Sequence, residues 1–311
     1  MVKMGILQDL HPSVKLLFAI LVSLFCAFVM ITVGTLLALP FTGADFASLI
    51  EQELNLADPA HLSISKYFQL LSHLGMFIIP SIILAWLYGG STSKYLFADS
   101  KPGSLVLLFS VALVFTMLPL INFTHELNMR LDLPPTLQWF EDWMRQSEDS
   151  AQKATTAFLS VETIQGLLFN LFLIAVIPAI GEEFIFRGVL LRIFGQWLRS
   201  PHFAVWVTAI IFSAIHMQFY GFLPRLLLGA MFGYLVIFSG SIWPAVIAHF
   251  VNNAGAIIVF YLKHNNISGS ALNDLGKGAE GYFAAIAGLL LTVAIFWFII
   301  RKNRSRAIHE L

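Results

Sequence analysis

The sequence predicts an all-α fold, a polytopic membrane helix bundle with about eight transmembrane helices. Composition is the first reason: 58% of the 311 residues are hydrophobic and only 12% are charged, whereas a soluble domain carries about 25% charged residues. The second reason is that the apolar residues form runs of the roughly 20 residues that a helix needs to cross the hydrocarbon core. A mean hydropathy of +0.80 agrees with both observations.

Eight apolar segments are predicted to form the spanning helices, in chain order about 14–39, 67–89, 103–122, 163–198, 203–219, 224–239, 243–262 and 281–300. The first segment is longer than the apolar region of a signal peptide and lacks a small-residue cleavage pattern, so we expect a retained anchor. We interpret the chain as a single integrated domain with three regions. They are N-terminal helices with two polar external loops (1–160), core helices (161–262), and a last helix with a basic tail (263–311).

The two long connections, residues 40–66 and 123–160, are polar and mainly acidic. In the second of them, a Pro-Pro pair precedes an amphipathic stretch that contains Trp139 and Trp143. Tryptophan favours the boundary between lipid and water, and amphipathic helices lie in that plane. We therefore interpret this stretch as a helix along the membrane surface.

Basic residues lie near both ends of the chain and in the remaining short connections: Lys3, Lys15, Lys94, Lys101, Arg192, Arg199, Arg301, Lys302, Arg304 and Arg306. Because such residues favour the cytoplasmic side, both termini are predicted to be cytoplasmic, and the plasma (inner) membrane is the expected location. The formal net charge is zero, so nothing indicates a nucleic-acid partner. Cys26 is the only cysteine, which excludes an internal disulfide and a cysteine-rich metal site.

Three charged residues interrupt the fourth apolar segment, although ionisable groups inside a bilayer cost at least about 2.5–3.5 kcal/mol each. Glu183 and Arg187 are four residues apart, so they share a helix face and can form an ion pair. Glu182 is rotated from that face by about 100° and lacks a local cation. A salt-bridge network that holds two helices together would explain one pair. The extra carboxylate makes Glu182 a candidate general base.

Two histidines and an asparagine interrupt later apolar segments, at His216, His249 and Asn253. A lone histidine of this kind is usually a core residue with a hydrogen-bond partner, but polar groups in lipid are expected to face one another. From the turn at Ser200, Glu182 lies roughly 27 Å along one helix and His216 roughly 24 Å along the next. His249 lies only about 12 Å beyond its own preceding turn. We therefore expect Glu182 and His216 to meet. The depth of His249 and Asn253 in the membrane, relative to that of Glu182, is the part of this geometry that the sequence supports least.

Three short motifs follow one another in this half of the chain: Glu182-Glu183-x-x-x-Arg187, Phe212-x-x-x-His216 and His249-x-x-x-Asn253. In order, internal spacing and placement on apolar segments, they resemble the motif set of the CPBP family. This family comprises CaaX-type prenyl proteases and bacteriocin-processing or immunity proteins, also called Abi. The resemblance covers about residues 165–260. It implies an intramembrane endopeptidase that acts on a membrane-associated peptide or protein within the lipid bilayer.

The resemblance also implies roles for individual residues. Glu182 would activate a water molecule with the help of His216, while His249 and Asn253 would stabilise the oxyanion. Glu183 and Arg187 would support the site. No cofactor is assigned, and the alternative is zinc bound by Glu182, His216 and His249 with water as fourth ligand. We favour the metal-free mechanism because asparagine is a poor zinc ligand but a good oxyanion donor.

Two other functions remain open at this point. The first is a non-enzymatic membrane adaptor or bacteriocin-immunity protein of the same family, which would keep the polar cluster as scaffolding. The second is a proton-coupled transporter that uses the same groups as a relay. A transporter would favour inverted repeats with matching broken helices in both halves, whereas the polar groups noted here lie only in the second half of the chain.

Overall fold

The computed structural model describes residues 5–42, 62–130, 132–267 and 281–302, and every regular element within these ranges is a helix. The helices are α1 Pro12–Thr42, α2 Leu62–Gly89, α3 Thr92–Tyr95, α4 Ser104–Met129, α5 Gln138–Leu159, α6 Ile164–Leu198, α7 Pro201–Ala214, α8 Phe222–Ser239, α9 Trp243–His264 and α10 Gly281–Lys302. The predicted all-α membrane bundle is confirmed. Most of the acidic first connection, Lys3 and the tail beyond Lys302 lie outside the described residues.

Seven helical stretches within the described ranges are long and apolar enough to cross a membrane, namely α1, α2, α4, α6, α8 with its preceding turn, α9 and α10. The fifth predicted segment, 203–219, forms α7, which has only 14 residues and ends at Ala214. The helix ends early because the backbone turns at Met217, where φ is 53°. His216 therefore lies in the turn after α7 and not on the helix, as the sequence had predicted.

The outer surface of the bundle is apolar, as expected for helices that face lipid. On α1, Phe25 and Phe28 are 66% and 69% exposed, and Leu290 on α10 is 64% exposed. Large apolar patches are rare on soluble monomers. In the interior, Leu84, Leu191 and similar side chains are fully buried where α2, α6, α7, α8 and α9 pack together. The chain is thus an integral, multi-pass membrane protein.

Widened π-helical turns interrupt α2 at Leu74–Ile78 and α6 at Leu171–Val176 and Phe184–Leu190. The first two end two residues before Pro80 and Pro178. Proline lacks an N–H, so it cannot complete the regular hydrogen-bond ladder of the preceding turn. Such turns are frequent at functional sites. Here the two turns of α6 flank the segment that carries the two glutamates.

The turn between α8 and α9 is buried beneath the connection that follows α2. Ser241 Oγ donates a hydrogen bond to the carbonyl of Ser100 (2.8 Å), and the Trp243 indole donates to the carbonyl of Ala98 (3.0 Å). Helix α9 therefore begins inside the bundle and not at its surface. Because this turn is buried, a distance counted from it underestimates how far His249 lies inside the bundle.

Candidate active site

Glu182 lies near the middle of α6 and is only 7% exposed. Its two carboxylate oxygens face histidines from two different helices. Oε1 lies 3.5 Å from Nε2 of His73 on α2, and Oε2 lies 3.9 Å from Nε2 of His249 on α9. The depth of His249, which the sequence supported least, therefore does not keep its side chain away from Glu182. A carboxylate among imidazoles is an arrangement typical of acid–base chemistry.

Glu183 and Arg187 form the ion pair that their spacing predicts. Arg187 donates to Oε1 of Glu183 at 2.9 Å and to the carbonyl of Gly229 on α8 at 2.9 Å, and both charged side chains are fully buried. The guanidinium lies 4.6 Å from the ring centre of Phe212 and 5.5 Å from that of Phe232. The pair therefore links α6 to α7 and α8 within an aromatic enclosure.

His249 is oriented by this ion pair. Its Nδ1 lies 2.8 Å from Oε1 of Glu183, and its ring stacks on Phe232 with 5.0 Å between the ring centres. Because the carboxylate of Glu183 accepts a hydrogen bond, Nδ1 is the protonated nitrogen and Nε2 points at Glu182. A carboxylate that fixes the tautomer of a histidine in this way is a common feature of catalytic sites.

His216 is held in place by Phe212, near the end of α7. Its Nδ1 donates to the carbonyl of Phe212 at 2.7 Å, and its ring packs against that of Phe212 with 5.0 Å between centres. Since a carbonyl only accepts, Nε2 is left to accept a proton in the neutral ring. Glu182 and His216 are close enough to interact electrostatically. Phe212 therefore contacts both His216 and Arg187, which explains the first position of its motif.

The hydrogen bonds of the Asn253 side chain go to residues other than Glu182. Its amide Nδ2 donates to the carbonyl of Ile174 at 3.2 Å, and its Oδ1 accepts from Asn252 at 3.2 Å. The carbonyl of Ile174 is the one that residue 178 would bond in a regular helix, and Pro178 has no N–H to donate. Asn253 thus donates to a carbonyl for which Pro178 supplies no N–H.

Two residues that the sequence analysis did not select belong to this neighbourhood. His73 contacts Glu182 directly, and Arg225 at the start of α8 interacts electrostatically with Glu182 and His216. Arg225 is held by the side chain and backbone oxygens of Gln218, at 2.6 and 3.4 Å. The signal that selected His216 and His249, an ionisable residue within an apolar run, applies equally to His73 and would have found it.

Two cavities approach the site from outside. One of about 410 Å³ lies between α5 and the turn after α7 and is lined by Trp143, Gln146, Ser147, Ser150, Ala151, His216 and Met217. The other, of about 740 Å³, is a groove between α4, α5 and α9. Its walls are mainly apolar, and Asn252 beside Asn253 lies in its lining. The predicted amphipathic helix is thus present as α5, and it covers the His216 side of the site.

A zinc ion would need three protein ligands grouped around one point. In the described part of the chain, which includes Glu182, His216 and His249, no three His, Cys, Asp or Glu side chains are grouped in this way. The contact of His249 Nδ1 with Glu183 leaves Nε2 free and is compatible with either mechanism. The metal-free mechanism is accordingly the one that we propose for this site.

Comparisons with known proteins match the segment that carries this site. Residues 164–255 match the family model of the Rce1-like type II CAAX prenyl endopeptidases. An uncharacterised protein of Bacillus subtilis, YyaK, is 25% identical over 153 residues, which are 45% of this chain and 50% of that protein. The match thus spans about half the length of this relative. No solved structure matches the chain.

The family match includes α6 to α8 and the part of α9 up to Gly255, and therefore every residue of the three motifs. It does not include α2. The segment that carries the buried glutamates and histidines is therefore similar to the family described as Rce1-like type II CAAX prenyl endopeptidases.

Proposed function

We propose that this protein is an intramembrane endopeptidase that cleaves a membrane-associated peptide with a water molecule activated by Glu182. The observation that carries the proposal is the contrast between two adjacent carboxylates. Glu183 is paired with Arg187 at 2.9 Å, whereas Glu182 faces His73 and His249. The paired carboxylate holds the site together, and the other one is available for chemistry.

In the proposed reaction, the water lies between Oε2 of Glu182 and Nε2 of His216. Glu182 takes one proton as the water oxygen bonds to the carbonyl carbon of the peptide, and the carbonyl oxygen becomes an oxyanion. The C–N bond then breaks, and the proton held by Glu182 passes to the departing amine. General acid–base assistance of this kind contributes about 100- to 10,000-fold to a rate.

The oxyanion would be stabilised by His249 and Asn253. Nε2 of His249 donates when the ring carries both protons, and it points into the space beside Oε2 of Glu182. The amide of Asn253 has two N–H groups, of which one donates to Ile174 and the other is available to the oxyanion. Donors of this kind stabilise the charge that develops in the transition state.

The substrate would reach the site through the groove between α4, α5 and α9. Its apolar walls suit a lipid-like or hydrophobic segment, and its polar end carries Lys263 and His264. A substrate that is anchored in the bilayer could therefore enter from the side. We also propose that both termini are cytoplasmic, in the inner membrane, as the distribution of basic residues predicts. This arrangement requires the short helix α7 to act as an eighth crossing, since seven crossings would place the termini on opposite sides.

The test is cleavage of an internally quenched, farnesylated CaaX peptide, and of a membrane-tethered peptide without the lipid, by purified protein in proteoliposomes. Glu182→Gln should lower kcat by about 100-fold or more, since it removes the general base. The control is Glu162→Gln, an exposed glutamate in the connection before α6, which should leave kcat unchanged.

Full turnover by Glu182→Gln would contradict the role of this residue. Loss of activity with a chelator, and its recovery with added zinc, would contradict the metal-free mechanism. In cells, a phenotype that survives Glu182→Gln would favour the adaptor or immunity alternative, because scaffolding does not require the carboxylate.

A further inference from the structure

His73 lies outside the segment that matches the family, yet it contacts the proposed general base. It is located on α2, directly before the widened turn Leu74–Ile78, and its side chain is 13% exposed. Its Nε2 lies 3.5 Å from Oε1 of Glu182. The opposite nitrogen, Nδ1, lies 3.2 Å from both the backbone oxygen and the side-chain nitrogen of Gln69, one turn earlier. The ring is therefore held on both sides.

Close packing of α2 against α6 makes this contact possible. Gly181 directly precedes Glu182, and a Cβ at this position would lie 2.9 Å from Ile78 and 3.1 Å from Phe77. Both neighbours belong to the widened turn that follows His73. A larger residue at 181 would separate the helices, and with them the two side chains. The ring of Phe77 also packs on that of His73, with 5.3 Å between centres.

The two oxygens of Glu182 consequently have different surroundings. Oε1 lies 3.5 Å from Nε2 of His73, while Oε2 lies 3.9 Å from Nε2 of His249. A carboxylate on a helix can rotate about its last bond, so both oxygens would exchange if nothing fixed them. The contact with His73 removes this freedom.

We propose that His73 is a positioning residue of the hydrolysis: it holds Oε1 of Glu182 so that Oε2 is the oxygen that takes the proton from water. This inference rests on the proposed function and adds a residue from the N-terminal half of the chain to its site. A displacement of about 1 Å at a catalytic group can lower a rate by about 100-fold, which sets the expected effect.

Two substitutions separate positioning from packing. His73→Leu removes the contact and should lower kcat about 100-fold, with KM changed by less than about threefold. His73→Gln places an amide nitrogen near the position of Nε2 and should retain kcat within about tenfold of the wild type. The matched control is Tyr67→Phe, which removes one hydrogen bond of α2, to the carbonyl of Gly34, away from Glu182. It should leave kcat unchanged.

The double variant His73→Leu with Glu182→Gln tests whether His73 acts through Glu182. Its residual activity should equal that of Glu182→Gln alone, because nothing is left to position. Thermal unfolding in detergent gives a second readout that needs no activity. It is measured for the wild type, His73→Leu, Glu182→Gln and the double variant. The two single changes should shift Tm non-additively if the side chains are in contact.

The outcomes are distinct. An active wild type with unchanged kcat in His73→Leu overturns the positioning role and leaves the proposed function intact. Equal impairment of the leucine and glutamine variants, or additive losses in the double variant, also overturns it. A wild type without hydrolysis overturns the proposed function and the positioning role together. Coupled Tm shifts would then assign the contact to structure alone.

Discussion

At the scale of single residues, the site separates a structural charge pair from a reactive carboxylate. Glu183 and Arg187 are fully buried, and they bond to each other, to His249 and to the backbone of α8. In the part of the chain that is described, the ionisable groups within 4 Å of the Glu182 carboxylate are His73 and His249. Removal of one partner of a buried ion pair costs far more than the pair contributes, because a charge remains without compensation.

Arg187→Met is therefore expected to lower the free energy of unfolding by about 3 kcal/mol, since the Glu183 carboxylate stays buried without its cation. The matched control is Arg130→Met, which breaks a pair of the same spacing with Glu126 at the exposed end of α4. Exposed pairs contribute about 1 kcal/mol at most. Denaturant unfolding in detergent measures both, and equal losses would contradict the burial argument.

A second prediction concerns the carbonyl that Pro178 leaves free. Asn253→Leu should lower the free energy of unfolding by about 1–3 kcal/mol, because the buried carbonyl of Ile174 loses its donor. In a Pro178→Ala background the loss should be smaller, since residue 178 then supplies the N–H.

Activity distinguishes the two roles of Asn253. If this amide also serves the oxyanion, the double variant Pro178→Ala with Asn253→Leu should recover stability but not kcat. Recovery of both, in unfolding and hydrolysis assays of the same preparation, would show that Asn253 has only the structural role.

At the scale of the elements, interruptions of regular helices place the site. Proline and the widened turns change the direction of side chains along α2 and α6, and Gly181 allows these helices to approach closely. Helix α9 then supplies His249 from one face, while a neighbouring part of its surface lines the groove that we propose for the substrate. One helix thus contributes to both chemistry and access.

Gly255 on α9 offers a test of this groove. A Cβ at this position meets no atom within 4 Å, and the residue lines the cavity. Gly255→Phe should therefore leave the fold intact but fill the groove, so that kcat/KM for a membrane-tethered peptide falls by about tenfold or more.

The control for this prediction is Gly103→Phe. A Cβ at Gly103 likewise meets no atom within 4 Å, but this residue lies at the start of α4 and does not line the groove. Proteoliposome assays with both variants measure the difference. Unchanged cleavage by Gly255→Phe at unchanged Tm would exclude the groove as the entry path.

At the scale of the whole molecule, an apolar outer surface encloses a polar centre. The exposed side chains of α1 and α10 are compatible with lipid, so the bilayer stabilises the fold that excludes bulk water from Glu182. If every predicted segment spans the membrane, one crossing, α4, separates the connection after α2 from α5. These two regions then lie on opposite sides of the membrane.

Cysteine labelling tests this topology. Cys26 is the only cysteine of the sequence, so its replacement gives a cysteine-free protein. Single cysteines can then be introduced at the exposed residues Asp99 and Asp149. In intact cells, Asp149→Cys should react with a membrane-impermeant maleimide, and Asp99→Cys should react only after permeabilisation. The reverse pattern would contradict cytoplasmic termini, and labelling of both in intact cells would contradict the span count.

The sequence by itself determined the membrane bundle, seven of the long helices, the Glu183–Arg187 pair and the cluster of candidate residues. These properties depend on hydropathy and on spacings within one helix, which are local. The early end of α7, the depth of His249, the hydrogen bond from Asn253 to Ile174 and the contact of His73 with Glu182 were decided only by the tertiary structure. Each depends on how closely two distant helices pack, and a proline, a glycine or a buried turn in one helix determines the position of a side chain in another.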